Sequence, residues 1–153
     1  MIIIRRALHE EKENVKEILK EADLSTAGVD EHFSNFMVVE RDGCVIGTAG
    51  LEIYGDVAIL RSVAILPEFR RQGMGDGLVR AMINFADRRN IKQIYLFTQT
   101  ARKFFEKFGF KAIPKECIDE RCRSSGEAGL CPTGATAMAL DIRKFFDTLR
   151  CSK

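Results

Sequence analysis

The sequence predicts an α/β (α+β) fold in a single domain spanning residues 1–153, and three observations predict it. Runs of β-branched residues alternate with runs of helical period along the chain. An Asp-Gly pair, Asp42-Gly43, separates two β-rich stretches and supplies hairpin chemistry. One stretch, Val57 to Ile65, is apolar except for Arg61 and Ser62, as a central strand covered on both faces would be.

A length of 153 residues suits one domain with a sizeable core. With 46% apolar and 30% charged residues the composition is that of a soluble globular protein, and a net charge of +2 gives no general reason to expect a nucleic-acid partner. No run approaches the roughly 20 apolar residues of a membrane span, and Met1 to Ile4 is too short for a signal-peptide core. A cytoplasmic protein with no membrane partner is the expectation. Five cysteines, an odd number, then read as reduced thiols. Cys117, Cys122 and Cys131 lie close in sequence, and three thiolates can bind a soft metal or metalloid. Their spacing matches no standard zinc pattern, so loop or core thiols and no metal site are expected.

Taken in order, Ile2 to Ile4 form a short strand before the charged pair Arg5-Arg6. From about His9 to Glu21, Val15, Ile18, Leu19 and Ala22 recur at helical spacing with charges opposite. A second short helix is expected around Val29 to Phe33. Phe36 to Glu40 and Val45 to Ile53 make the hairpin, and a turn at Tyr54-Gly55-Asp56 leads into the central strand. The next helix starts near Gly73, carries Leu78, Val79, Met82, Ile83 and Ala86 on one face, and ends among Asp87 to Asn90. Ile94 to Phe97 is a strand and Ala101 to Phe108 a helix, which Gly109 ends before a strand from Phe110. Pro114 to Pro132 reads as a long connection, Ala135 to Ile142 as the last strand, and the tail from Arg143 as a short helix or a frayed end.

The strand-to-helix turn carries the chemistry. Ile65-Leu66-Pro67-Glu68-Phe69-Arg70-Arg71-Gln72-Gly73-Met74-Gly75-Asp76 passes from the central strand through a basic, glycine-bearing turn into a helix. Unpaired N–H groups and partial positive charge at a helix start form an anion site, and glycine lets a phosphate approach the backbone. The spacing excludes a Walker A loop and misses G-x-G-x-x-G by one residue, because Gly77 comes early.

Arg70-x-x-Gly73-x-Gly75 after a strand ending in Ile-x-Pro resembles motif A of the GNAT superfamily, the acetyl-CoA-dependent N-acetyltransferases. Tyr95 to Phe110, ending in Phe108-Gly109-Phe110, resembles that family's motif B. The resemblance implies a mixed, mostly antiparallel sheet flanked by helices and covers almost the whole chain. It implies that the diphosphate of acetyl-CoA sits on the N–H groups of Arg71, Gln72, Gly73, Met74, Gly75 and Asp76, with Arg70 and Arg71 as cationic support. Backbone groups of Val63 and Ile65 would pair with the pantetheine arm. Motif B departs from the family at two cofactor positions: Thr98 stands where many members have Asn, and Phe105 where they have a Tyr that protonates the leaving thiolate. Thr98 can still donate a hydrogen bond, whereas Phe105 cannot give a proton.

The catalytic base is expected to be Glu52, by position near the end of a strand, followed by His32 and Glu31. Arg61 in a central strand needs an anion. It is either a binding site for the acceptor's carboxylate or a salt bridge to Glu52 or Asp56. Gly50-Leu51-Glu52-x-Tyr54-Gly55, Leu60 to Ala64, Phe104-Phe105 and Leu130-Cys131-Pro132-x-x-Ala135-x-x-Met138 resemble the arsenic-resistance and amino-acid N-acetyltransferase branch. That similarity implies transfer to a small amine bearing a carboxylate. Transfer to a protein or peptide amine, a non-catalytic acyl-CoA-binding module and a metalloid-binding protein remain as alternatives, and a homodimer is compatible with the sequence.

Overall fold

A computed structural model describes residues 1–125 and 134–151. The strands are β1 (Ile2–Arg6), β2 (Phe36–Arg41), β3 (Cys44–Tyr54), β4 (Val57–Ile65), β5 (Gln93–Thr98), β6 (Lys111–Ile113) and β7 (Thr136–Asp141). The helices are α1 (Lys12–Glu21), α2 (Val29–His32), α3 (Met74–Arg88), α4 (Arg102–Glu106) and α5 (Ile142–Cys151). The strands form one sheet in the order β1-β2-β3-β4-β5-β7-β6. β1–β2, β2–β3, β5–β7 and β6–β7 are antiparallel, and β4–β5 is parallel from Val57↔Gln93 to Ile59↔Tyr95. The expected mixed, mostly antiparallel sheet is therefore present. Among the described residues no helix is long and apolar enough to cross a membrane.

The chain divides into two compact units, Met1–Glu52 with Leu60–Asn84, and Ile53–Ile59 with Phe85–Lys153. In the first unit, Val15, Ile18 and Leu19 of α1 meet Val29, Phe33, Phe36, Val38 and Ala64 in one apolar cluster. Their three- and four-residue spacing is what brings them to one helix face. The expected helix from His9 begins instead as a 3-10 turn, His9–Glu11. There the Glu11 carboxylate accepts from the Leu8 N–H at 2.8 Å and from Arg5 at 2.9 and 2.7 Å. The hairpin turns on left-handed Asp42 (φ 50°) and Gly43 (φ 86°), the geometry a two-residue turn requires. A register shift between Val39 and Glu40 bends β2, and β3 begins one residue before the expected Val45, at Cys44.

Gly77, the glycine that spoils the dinucleotide spacing, has a packing reason. A Cβ there would come within 3.0 Å of Ile4 Cδ1, so the glycine lets α3 lie close to β1.

In the second unit, Val57, Ile59, Tyr95, Ala137, Ile118 and Cys122 share a core. The described part of the long connection is thus packed, through 3-10 turns at Lys115–Cys117 and Glu120–Ser124. Arg121 Nη2 donates to Asp56 Oδ1 at 2.8 Å and to Asp119 Oδ2 at 3.0 Å, and its guanidinium holds the Asp119 carboxyl down to about 2. Among thiols, Cys122 is buried in the core and Cys117 exposed, while Cys131 lies outside the described residues, as do Leu130 and Pro132. α4 is shorter than the expected 101–108, because tight turns close from Phe108 to Phe105 and from Gly109 to Glu106, with Gly109 left-handed at φ 99°.

Gly50 stands directly opposite Phe36 in the β2–β3 register, and a Cβ on it would lie 2.3 Å from the Phe36 ring. Phe36 is fully buried and has nowhere to move. Gly50→Ala is therefore expected to destabilise the protein by about 1–3 kcal/mol, read as a lowered urea midpoint with unchanged slope.

Candidate functional site

Two arrangements in the first unit concentrate polar chemistry, one at the C-terminal end of β4 and one beneath its middle. At the strand end, Pro67–Phe69 form a 3-10 turn, and Arg70, Arg71, Gln72 and Gly73 follow, all exposed. Arg71 (φ 64°) and Gly73 (φ 82°) are both left-handed, and the N–H of Gly77 donates to the Gly73 carbonyl at 3.1 Å, which makes Gly73 the cap of α3. Helix geometry leaves the first amides of α3, at Met74, Gly75 and Asp76, without acceptors inside the helix. A Cβ built on Gly73 meets nothing within 4 Å, so the space over the turn is open.

The turn is braced. Arg41 Nη1, at the end of β2, donates to Gln72 Oε1 at 2.9 Å, and its guanidinium lies over the Phe69 ring at 5.3 Å. Arg70 Nε donates to the Ile65 carbonyl at 2.9 Å, and the Leu66 N–H donates to the Ile46 carbonyl at 2.8 Å. Val63 and Ile65, the two expected strand contacts of a cofactor arm, are half-buried. Arg41 was not singled out by the sequence, because nothing local marks a residue that acts across some thirty positions of chain.

Beneath the middle of β4 lies a buried ion pair. Arg61 Nη1 donates to Glu52 Oε2 at 2.7 Å, Arg61 Nε to Ser62 Oγ at 2.9 Å, and Arg61 Nη2 to the Ser25 carbonyl at 3.1 Å. Of the two roles expected for Arg61, the geometry realises the salt bridge to Glu52. The Arg61 side chain is 0% exposed and that of Glu52 2%. Asp56, the other partner considered, is instead bound by Arg121. His32 Nε2 lies 3.8 Å from Glu52 Oε1 and 3.9 Å from Glu31 Oε2. Gly28, left-handed at φ 80°, closes over this group: a Cβ there would sit 2.9 Å from Arg61 Nη1 and 3.7 Å from both Glu52 Oε2 and His32 Cδ2.

Ser62 is a feature the sequence did not reveal. It has φ 60° inside a strand, a conformation that costs a non-glycine residue about 1–3 kcal/mol and persists where surrounding contacts over-determine it. The bond from Arg61 Nε to its hydroxyl is one such contact.

In the second unit, Thr98 ends β5 and its Oγ1 accepts from the Ala101 N–H at 3.0 Å, closing the turn ahead of α4. Phe105 is buried, its ring edge-on to Phe104 at 5.0 Å and to Phe110 at 5.8 Å. Phenylalanine at this position therefore has packing work within the unit.

Comparison with known proteins gives a consistent picture. The sequence model described as "Acetyltransferase (GNAT) family" matches residues 3–110. An uncharacterized N-acetyltransferase of Chlorobaculum tepidum is 31% identical over 98 residues, 63% of this chain and 63% of that protein. An amino-acid acetyltransferase of Aeromonas salmonicida is 34% identical over 83 residues, 53% of this chain and 19% of that protein. Among solved structures, N-acetylglutamate synthase from Neisseria gonorrhoeae, complexed with coenzyme A and N-acetyl-glutamate, superposes with a TM-score of 0.79 at 19% identity. That match covers 93% of this chain and 35% of the synthase. The similarity to the two amino-acid enzymes thus spans a fifth to a third of their length.

Removing one member of the buried pair strands the other. Arg61→Ala is expected to lower stability by about 3–5 kcal/mol, measured by urea unfolding. Arg61→Lys should recover only part of it, since one ammonium cannot reproduce the guanidinium fork to Glu52, Ser62 and Ser25.

Proposed function

The chain belongs to the acetyltransferase (GNAT) family, whose co-substrate is acetyl-CoA, and from that premise we propose that it transfers the acetyl group directly to the amine of a small amino-acid-like acceptor. The observation that carries this reading is the exposed turn Arg70–Gly73, with two left-handed residues and open space over Gly73, delivering the chain into α3.

The donor set fits a diphosphate. Amides from Arg71 to Asp76, the positive end of a 15-residue helix and the exposed cations Arg70 and Arg71 offer charge-assisted hydrogen bonds to an anion. Backbone groups of Val63 and Ile65 would take the pantetheine amides as a further strand would. The Ile65 carbonyl now accepts from Arg70, so an arm pairing there would release that guanidinium toward the diphosphate. Thr98 and Phe105 keep their place in the proposal as cofactor-side residues of motif B. When bound, acetyl-CoA supplies a thioester whose carbonyl carbon is open to attack by an amine. The protein then has to orient the amine and relieve it of protons, and Phe105 offers no acid for the departing thiol. Such acid help is typically worth about 10² to 10⁴ in rate, and a thiol of pKa near 8.5 leaves tolerably without it.

The amino-acid acetyltransferases among the relatives support an acceptor bearing a carboxylate. One observation favours the second reading, a protein or peptide amine. Arg61, the cation expected to receive that carboxylate, is already engaged by Glu52, Ser62 and the Ser25 carbonyl.

Two measurements test the proposal. Acetyl-CoA at 100 times its Kd should stabilise the protein by about 2.7 kcal/mol, visible as a raised melting temperature, and Gly73→Glu should abolish that rise. A rise that survives the substitution removes the diphosphate assignment. CoA thiol release should be followed with free amino acids, the matching decarboxylated amines and short peptides. Faster turnover of the amino acids is expected. Equal rates with decarboxylated amines, or turnover of peptides alone, favour the second reading, and no thiol release with any amine leaves an acyl-CoA-binding module.

A further inference from the structure

Exposure rises from 0% at the Arg61 side chain to 2% at Glu52 and 18% at His32, so of the three side chains the imidazole is the one that reaches solvent. Glu52, expected as the base, has Oε2 engaged by Arg61 and its side chain enclosed, which prevents it from touching an acceptor. Glu31, at 82% exposure, is a solvated carboxylate. We infer that His32 is the group that accepts the proton of the acceptor amine, with Glu52 as a positioning residue behind it and Arg61 holding Glu52. This rests on the reading of β4 as the cofactor strand.

The geometry assigns a tautomer. Both carboxylates, Glu52 at 3.8 Å and Glu31 at 3.9 Å, face the same ring nitrogen, Nε2. A neutral imidazole between them keeps its proton on Nε2 and its lone pair on Nδ1, because a lone pair on Nε2 would face two negative groups.

Three further observations belong to this arrangement. Gly28 carries no Cβ, and one built there would sit 2.9 Å from Arg61 Nη1 and 3.7 Å from Glu52 Oε2 and His32 Cδ2, so the chain lies this close to the pair and to His32 only with glycine at this position. The Arg61 fork anchors that loop through the Ser25 carbonyl. Arg61 is also bonded to Ser62, the left-handed residue directly before Val63, which places the cluster next to the first strand residue proposed for the pantetheine arm. A buried ion pair adds little net stability over apolar residues of the same volume, so fixing the orientation of a working group is the role that fits it.

The proton balance closes. An acceptor ammonium, R–NH₃⁺, gives one proton to His32 Nδ1, and the imidazolium returns it to solvent. The freed amine forms the C–N bond as the C–S bond breaks. The second proton leaves the nitrogen and ends on the thiolate sulfur, giving amide and thiol.

The test uses the whole 153-residue chain. ¹⁵N chemical shifts of the neutral imidazole should show the Nε2–H tautomer for His32, assigned against His9, the only other histidine, through His9→Gln. Glu52→Gln should shift that tautomer population. With an acceptor that the wild type turns over, His32→Gln should lower kcat by about 10²-fold or more, while the KM for acetyl-CoA and the CoA-induced rise in melting temperature stay unchanged. His32→Gln with wild-type kcat, or a wild-type ring carrying its proton on Nδ1, overturns the inference. If the wild type releases no thiol with any amine, the transferase reading fails, whereas the ring spectrum still decides how His32 is held.

Discussion

The contact between Arg61 and Glu52 is the constraint on which the first unit turns. A guanidinium inside a strand is tolerable only when each of its donors is met, and here one side chain is met by three different segments: Glu52 on β3, Ser62 on β4 itself and the Ser25 carbonyl in the loop before α2. Charge neutralisation and chain placement are therefore the same event. The segment that runs from Gly28 through His32 at the end of α2 has no long apolar face of its own, since α2 spans only four residues. Its position depends on Val29 and Phe33 in the cluster below and on the Arg61 fork above.

Much of this was legible in the sequence, for identifiable reasons. β4 was readable end to end because a strand covered on both faces must be apolar almost throughout, and the start of α3 because glycine and arginine mark an anion turn. Asp42-Gly43 announced its hairpin because few other pairs accept two left-handed residues. Legibility failed where long-range contacts decide the outcome. The left-handed Ser62 is marked by no turn residue, and the Arg61 Nε–Ser62 Oγ bond that accompanies it shows only in the fold. The brace from Arg41 to Gln72 links β2 to a turn far along the chain. That Asp56 would not be the partner of Arg61 was equally unreadable, since its ion pair with Arg121 joins positions 65 apart in the chain. The cysteines between 117 and 131 suggested a cluster by proximity in sequence, yet Cys122 points into the core beside Tyr95 and Ile118.

The two halves of the proposed chemistry are built differently. The anion turn is exposed and made mostly of backbone, so its specificity is for a charge and a shape. The cluster beneath β4 is enclosed and made of side chains, so what it holds is a fixed set of orientations. Phe105 underlines the division, because the second unit uses that position to pack Phe104 and Phe110 rather than to deliver a proton.

The kink at Ser62 reaches beyond the contacts it makes. Successive side chains on a regular strand point to opposite faces, yet Arg61 and Ser62 are close enough to hydrogen-bond at 2.9 Å. The alternation is interrupted there, so β4 ahead of the kink and β4 behind it keep different phase. Sliding the strand by one position against a neighbour would misplace both segments, and no compensating slide rescues either one. The kink acts as an alignment pin, and a single-residue insertion or deletion anywhere in β4 would meet a far harsher penalty than the same change in the exposed hairpin at Asp42-Gly43.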